Sequence, residues 1–515
     1  MRIARVNFFS KDINFYYLMA ICLVAIIFTH PFLRYPYDIF YHLIQIDKYY
    51  ETNSLPVGRD LWHFLWAKFF YIFGIQNNEI LLRAKIIHVI QTYIAFLSVY
   101  YFSNVVIRNL FKNIDKSILR YLSFWAVLIW ISIFATFSMY YHLVWNLWYS
   151  VNYQVTLPLF WYITALTLVL FLEDTSLKKK IFFIVQILVI SRFILQVHSM
   201  EYVYYLMYMF TFAIINIDKT WYFLKKYFYI FIPIIMIVVY FAKQYQPEKS
   251  KIFNYLDFGK LPLLYQKIIQ EGGILVSGSN RAFASINELM YLILFIGVIV
   301  TTIVIKNRVK NEIDFRNFIF ILVTSLFVLI PLYEFSGGLL GIITRENVVN
   351  RLYYSSSLFV LLPVFVYYLN YLLFKGKINI FNINFIMIVL LSCTYVYSKY
   401  NIYGTQNYYK NVKSIKNSFF ERKIGFNLSK EQIDMIGEKL KEYEINNNSG
   451  KPEYYYARAD ISFVIKYIYR KNVYWEDRRA NPDYINIYNG KNKNNEFQLI
   501  LFETPKGFPD YEPYK

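Results

Sequence analysis

The sequence predicts a mainly α-helical, polytopic membrane protein: a bundle of about eleven spanning helices, followed by a small extracytoplasmic α/β domain. Three observations carry that reading. Of 515 residues, 57% are hydrophobic and 21% aromatic, and the mean hydropathy is +0.33. Apolar runs recur at the length of about 20 residues that a bilayer core requires. Lys and Arg gather in alternate short connections, as they do where cytoplasmic loops retain positive charge.

The net charge of +20 is therefore read as loop charge and not as a nucleic-acid surface. Cys22 and Cys393 both fall in apolar runs, so they define neither a disulfide framework nor a metal motif. The first apolar run, about 14–33, has no small-residue cleavage site and reads as a retained span. Arg2, Arg5 and Lys11 precede it and place the N-terminus in the cytoplasm.

The first external loop, 34–83, contains two interfacial helices. From Asp38, one helical line carries Asp38, His42, Gln45 and Tyr49, and the next carries Ile39, Leu43, Ile46 and Tyr50. Asn53-Ser54-Leu55-Pro56 signals a turn. A second helix starts behind Asp60 as N-cap, with the stripe Trp62, Trp66, Phe69 and Phe73 facing the interface.

The remaining spans follow at about 84–107, 121–139, 158–173, 181–199, 201–217, 227–243, 288–305, 317–333, 352–374 and 380–397. Arg108 to Arg120, Lys178-Lys179-Lys180, Lys219 to Lys226, Lys306 to Arg316, and Lys375 with Lys377 mark the cytoplasmic connections. Residues 140–157 have no Lys or Arg and many aromatics, which reads as an external interfacial or re-entrant segment. Residues 244–286 and 334–351 are external loops. The membrane domain is thus 1–397.

Residues 398–515 form the separate α/β domain. Ser429 to Gln432 fits a capping box ahead of a helix carrying Ile433, Ile436 and Leu440. The stretches 454–460, 460–470 and 472–475 read as strand, helix, strand, and 497–502 as a further strand.

Few residues can carry chemistry. Asp38, just outside a span, suits a general base, with His42 one turn on. Arg192 lies well inside a span, where a charge should face the bundle interior, and His198 and Glu201 at the external end of that hairpin are its candidate partners. Arg345 and Arg351 flank the external end of a late span; the planar guanidinium fork suits a phosphate. No Gly-rich nucleotide loop, metal-ligand spacing or Ser-His-Asp arrangement is present. A reaction on the outer face would need a donor carried by the membrane.

The order of elements resembles the GT-C superfamily of membrane glycosyltransferases. The residues that carry the resemblance are YDIFYHLIQI and LPVGRDLWHFLWAKFF in the first loop, and Arg83-Ala84 opening the next span. QVHSMEYVYY and the arginine of NVVNRLYYSSSLFVLLP extend it. It covers the membrane part in architecture and is specific over about the first hundred residues. The resemblance implies transfer of a sugar from a polyprenyl-(di)phosphate carrier to a glycan, lipid or protein acceptor. It assigns the base to Asp38, with His42 and Glu201 as further catalytic candidates. Arg192, His198, Arg345 and Arg351 become candidates for the lipid phosphate. Ile39 follows Asp38, so the chain lacks the adjacent acidic pair; no metal site or cofactor is indicated, and an inverting transfer is expected. The setting implied is the bacterial inner (plasma) membrane. Two other classes share the composition: a polysaccharide polymerase or ligase of another fold, centred on 244–286, and a lipid-glycan flippase or transporter, which predicts paired repeats and Gly/Pro-broken spans.

Overall fold

The computed structural model describes residues 19–20, 37–56, 60–76, 80–111, 113–132, 153–222, 225, 296–297, 299–300, 302–303, 314–327, 355–374, 380–400, 430–446, 455–456, 464–465, 468–471 and 498–499. The fold is mainly helical. In chain order the helices are α1 (Tyr37–Thr52), α2 (Leu61–Ile72), α3 (Ile80–Leu110), α4 (Lys116–Ser132), α5 (Tyr153–Leu172), α6 (Leu177–Val197), α7 (Met200–Ile215), α8 (Phe315–Ser325), α9 (Leu358–Leu373), α10 (Ile380–Tyr400) and α11 (Lys430–Asn446). Two compact units result: one from 1–27, 91–147 and 153–416, the other from 28–90, 148–152 and 417–515.

In the first unit, three helices among the described residues are long and apolar enough to cross a membrane: Leu82–Leu110 (begun in the second unit), Val155–Leu172 and Leu177–Val197. Their 29, 18 and 21 residues are near the roughly 20 that a bilayer core requires. α4, α7, α8, α9 and α10 stand where further spans are expected. The spans expected at 14–33, 227–243 and 288–305 fall largely outside the described residues.

α5 corrects one boundary. It begins at Tyr153, so 153–157 belong to the helix and not to an external segment, and Pro158 sits inside it. At the second turn a proline removes a single i→i−4 bond, which the rest of the helix tolerates.

Aromatic packing fills the bundle. Trp161 and Tyr208, both fully buried, meet at 5.5 Å between ring centroids. Phe102 lies 4.6 Å from Trp161 and Phe359 5.0 Å from it, and the two phenylalanine rings are 6.1 Å apart, so the three form one cluster. Lipid tails are as apolar as these rings, so close packing and interhelical hydrogen bonds hold such helices together. Trp125 Nε1 donates to Asn384 Oδ1 at 2.7 Å, joining α4 to α10. A buried hydroxyl cluster joins α8 to the start of α9: Thr324 and Ser357 share a hydrogen bond at 2.6 Å, and Ser356 donates to Ser325 O at 2.8 Å.

Helix ends meet in a consistent way. Arg108 at the end of α3 pairs with Glu173 after α5. The Asp314 amide donates to Leu110 O at 2.9 Å, and Arg316 pairs with Asp218 at 2.7 Å. Four of the connections read as cytoplasmic therefore gather at one end of the bundle.

α6 lies on the outside, with Ile181, Phe182, Val185, Leu188 and Val189 all exposed. Arg192 is exposed as well, contrary to the expectation that it faces the interior. It stands five residues before the end of α6, about 7.5 Å along the axis, a distance its long side chain can cover to reach the interface.

In the second unit, α1 and α2 pack against each other, His42 beside His63, Tyr49 beside Phe64 and Tyr50 beside Tyr71. α11 buries Ile436 and Leu440 of the expected apolar stripe. β1 (Tyr455–Tyr456) and β2 (Gln498–Leu499) pair in parallel, Tyr455 opposite Gln498. Both fall within stretches read as strands; the capping residue Ser429 and the strand expected at 472–475 lie outside the described residues.

Candidate functional site

The site is built on the α1–α2 pair. α1 ends because Asn53 takes a left-handed conformation, φ 51°, which Asn accepts more readily than most residues. Lys68 of α2 donates to the Asn53 side chain, closing the hairpin. His42, Leu43, Gln45, Ile46 and Tyr49 are buried on α1, and Trp62, His63, Ala67 and Phe70 on α2. These positions recur at helical spacing, which aligns each set along one face.

The polar line His42, Gln45, Tyr49 of α1 is buried, with Trp62 and His63 beside His42 and Asp60 beside Tyr49. One expectation changes here. The buried stripe of α2 runs through His63, Ala67 and Phe70, while Trp66 and Phe69 are half-buried and Phe73 is exposed. The aromatic line does form a ladder, with Trp66–Phe69 centroids 5.3 Å apart and Phe69–Phe73 4.6 Å apart.

Inside the pair runs a chain of polar groups. His42 Nδ1 and His63 Nε2 are 2.7 Å apart and buried. Their rings are inclined by only 18°, with centroids 5.0 Å apart. That is the geometry of an imidazole–imidazole hydrogen bond. His63 Nδ1 lies 3.4 Å from Asp60 Oδ1, an ion-pair separation longer than a hydrogen bond. Tyr49 Oη donates to the other Asp60 oxygen at 2.7 Å. The Trp62 ring closes the edge of His42, centroids 5.5 Å apart.

Asp60 occupies the N-cap position of α2, but its side chain makes no capping hydrogen bond. It is drawn instead to Tyr49 and His63. Burial pushes the Asp60 carboxyl up, but the contacts from His63 and Tyr49, with the charge of Lys48, outweigh burial and hold it below the usual 3.8.

A second buried pair fixes this hairpin to α3. Arg83 Nη1 donates to Asp47 Oδ1 at 2.7 Å, both side chains fully buried. The guanidinium lies 4.3 Å from the Tyr50 ring centroid and 5.0 Å from that of Phe70, and it also donates to Ile75 O. A buried charge needs this density of partners, and Arg can both stack and donate.

Of the residues singled out in the sequence, Asp38 lies in the first turn of α1, one turn before His42 on the same helical line. His198 and Glu201 pair with each other at 2.5 Å at the α6–α7 turn, where Arg192 was the expected partner. They belong to the bundle unit. Arg345, Arg351 and the loop 244–286 lie outside the described residues. Among the described residues, no group of three or more His, Cys, Asp or Glu is arranged to hold a metal ion.

Sequence reasoning passed over His63 and Asp47 and gave Asp60 a different role. The i, i+3 spacing of Asp60 and His63 was a usable signal, since it stacks two side chains on one helix face. Asp47 offered none, because its partner is 36 positions away. No family model, characterised protein or solved structure matches the chain.

Proposed function

We propose that the protein is an integral membrane glycosyltransferase of the GT-C kind. It moves a sugar from a polyprenyl-(di)phosphate carrier to a glycan, lipid or protein acceptor on the outer face of the membrane. In this reading the chain has eleven spans and an extracytoplasmic C-terminal domain. The observation that supports it is the α1–α2 hairpin: an acid, Asp38, opens a helix whose next turn carries His42, which is buried against His63, with half-exposed Asp60 beyond. Such a chain holds groups of the kind that general acid–base chemistry uses.

The chemistry needs little else. The acceptor hydroxyl oxygen attacks the anomeric carbon as Asp38 takes its proton, and the carbon–oxygen bond to phosphate breaks with its electron pair on the phosphate. The leaving group is a stable anion, so one base suffices, worth about 100- to 10,000-fold. Arg351, with Arg192 or Arg345, holds the carrier phosphate. In vesicles containing the protein and a radiolabelled polyprenyl-phosphate sugar, label should pass from the lipid to an acceptor fraction. Label that stays on the carrier with every acceptor fraction supplied, or that only crosses the bilayer on its original lipid, would refute the reading.

A further inference from the structure

We propose that Arg192 docks the phosphate of a bilayer phospholipid on the outer, lipid-facing side of α6. The inference goes beyond the transfer reading and rests only on α6 being a membrane span.

α6 is 21 residues long, about 31 Å, against a hydrocarbon core of about 30 Å. Lys178 and Lys179 are exposed in its first turn. Arg192 follows Lys179 by about 20 Å along the axis and precedes the other end of the helix by about 7.5 Å. With the lysines at one interface, the arginine leaves the helix about 8–10 Å inside the other. Cα–Cβ bonds lean toward the start of a helix, here the lysine end, so the stem of Arg192 sets out away from the nearer headgroups.

Arg192 is exposed, and so are its apolar neighbours Leu188, Val189 and Leu195. Glu201, the carboxylate expected to pair with it, is buried and bonded to His198 at 2.5 Å. Among the described residues, no carboxylate pairs with Arg192. A charge at this depth is costly until an anion meets it. On a lipid-facing surface that anion is a lipid phosphate, and the guanidinium fork binds two of its oxygens. Half-buried Gln196, one turn on, and exposed Ser199 in the turn beyond carry polar groups from Arg192 toward the headgroups. In the other direction Leu188, Ile184 and Ile181 continue the same helical line, all exposed, as a track for an acyl chain.

A second copy of the chain fits this face poorly. A two-fold axis along the membrane normal would set α6 against its own copy and bring Arg192 near Arg192. The two charges would repel, and α6 carries no acid to relieve them. An outward-facing site meets the surrounding phospholipid, which leaves Arg345 as the companion of Arg351 on the carrier phosphate.

A photoreactive p-benzoylphenylalanine placed at Leu195 in the full-length protein tests the site. In digalactosyldiacylglycerol vesicles holding a trace of ³²P-labelled phosphatidylglycerol, irradiation should label the protein. Arg192→Gln should lower that labelling about tenfold or more. Labelling from the same photoreactive group at Phe210, exposed on α7, should not change. Unlabelled phosphatidylglycerol should compete at Leu195, and inorganic phosphate should not. Equal labelling at Leu195 with and without Arg192 overturns the proposal. So does a cross-link from Leu195 to a second copy in place of lipid. Polyprenyl phosphate competing far below the level at which phosphatidylglycerol competes would give the site to the carrier and overturn it too. No labelling from either Leu195 or Phe210 would mean that this side of the bundle does not face lipid, which removes its basis. The transfer reading is decided separately, by the labelled-sugar assay.

Discussion

Asp47 and Arg83 form an ion pair with neither side chain exposed, Oδ1 and Nη1 2.7 Å apart, and it ties α1 to the start of α3. Removing one partner leaves a buried charge uncompensated, which costs about 3–5 kcal/mol. Asp47→Asn and Arg83→Gln should each lower the unfolding midpoint in detergent clearly. The double variant should be less unstable than the two losses added, because it buries no lone charge. Additive losses would mean the two side chains act independently.

Asp60 gives a pH prediction with a definite sign. Its folded pKa lies below the ordinary 3.8. Its contribution is therefore fully present above that value and disappears as pH falls through the lower, folded value. Tyr49→Phe removes one of the hydrogen bonds that depress it. The carboxyl should then protonate at a higher pH, and acid destabilisation of the hairpin should begin earlier than in the wild type. Thermal unfolding followed from neutral pH downward measures this; superimposable acid limbs would show that the Tyr49 contact does not tune the carboxyl.

The helix ends make a topological prediction. Arg108–Glu173, Leu110–Asp314 and Asp218–Arg316 contacts join four connections at one end of the bundle. Reporter insertions after Asn113, Thr175 and Lys219 should all report one side of the membrane. α6 carries the chain 21 residues, about 31 Å, before the turn at Ser199, so an insertion there should report the other side. The same side for Thr175 and Ser199 would mean that α6 does not span.

These contacts also show what the sequence could and could not reveal. Basic connections and apolar lengths are local quantities, so α3, α5, α6 and α7 were legible to within a few residues, and Asn53 and Asp60 bracketed the hairpin turn. What covers a helix face is not local. The line through His42 was legible as polar, but nothing within α1 shows that His63 of α2 lies against it. Asp60 was read as a cap because its competing partner, Tyr49, sits on another helix. Arg192 was placed inside by the cost of a charge in lipid, but the length of its own side chain provides another escape.

In α11, Gly437 is packed against the Tyr469 ring, and a Cβ added there would overlap the hydroxyl end of that ring. Gly437→Ala should therefore destabilise this contact by about 1–3 kcal/mol, although alanine is the better helix former in isolation. Faster hydrogen exchange in Lys430–Asn446 would report it. Adding Tyr469→Leu should recover part of the loss, whereas protection above wild type in the single variant would mean the overlap is relieved without cost.

In the proposed transfer, Asp38 and Glu201 are the candidate bases, and they stand at different helix starts. Asp38 opens α1, one turn from the histidine chain. Glu201 is buried in the first turn of α7 and already bonded to His198 at 2.5 Å. An acid held by a neighbouring imidazole is occupied in keeping the α6–α7 turn closed. Asp38→Asn keeps the size of the side chain and removes the base, so transfer of labelled sugar should fall by about 100- to 10,000-fold with the unfolding midpoint unchanged. Glu201→Gln should do the reverse, lowering the midpoint while leaving measurable transfer. Should Asp38→Asn transfer sugar near the wild-type rate while Glu201→Gln is inactive and stable, the base is Glu201, and the proton path belongs to the bundle unit, not to the α1–α2 hairpin.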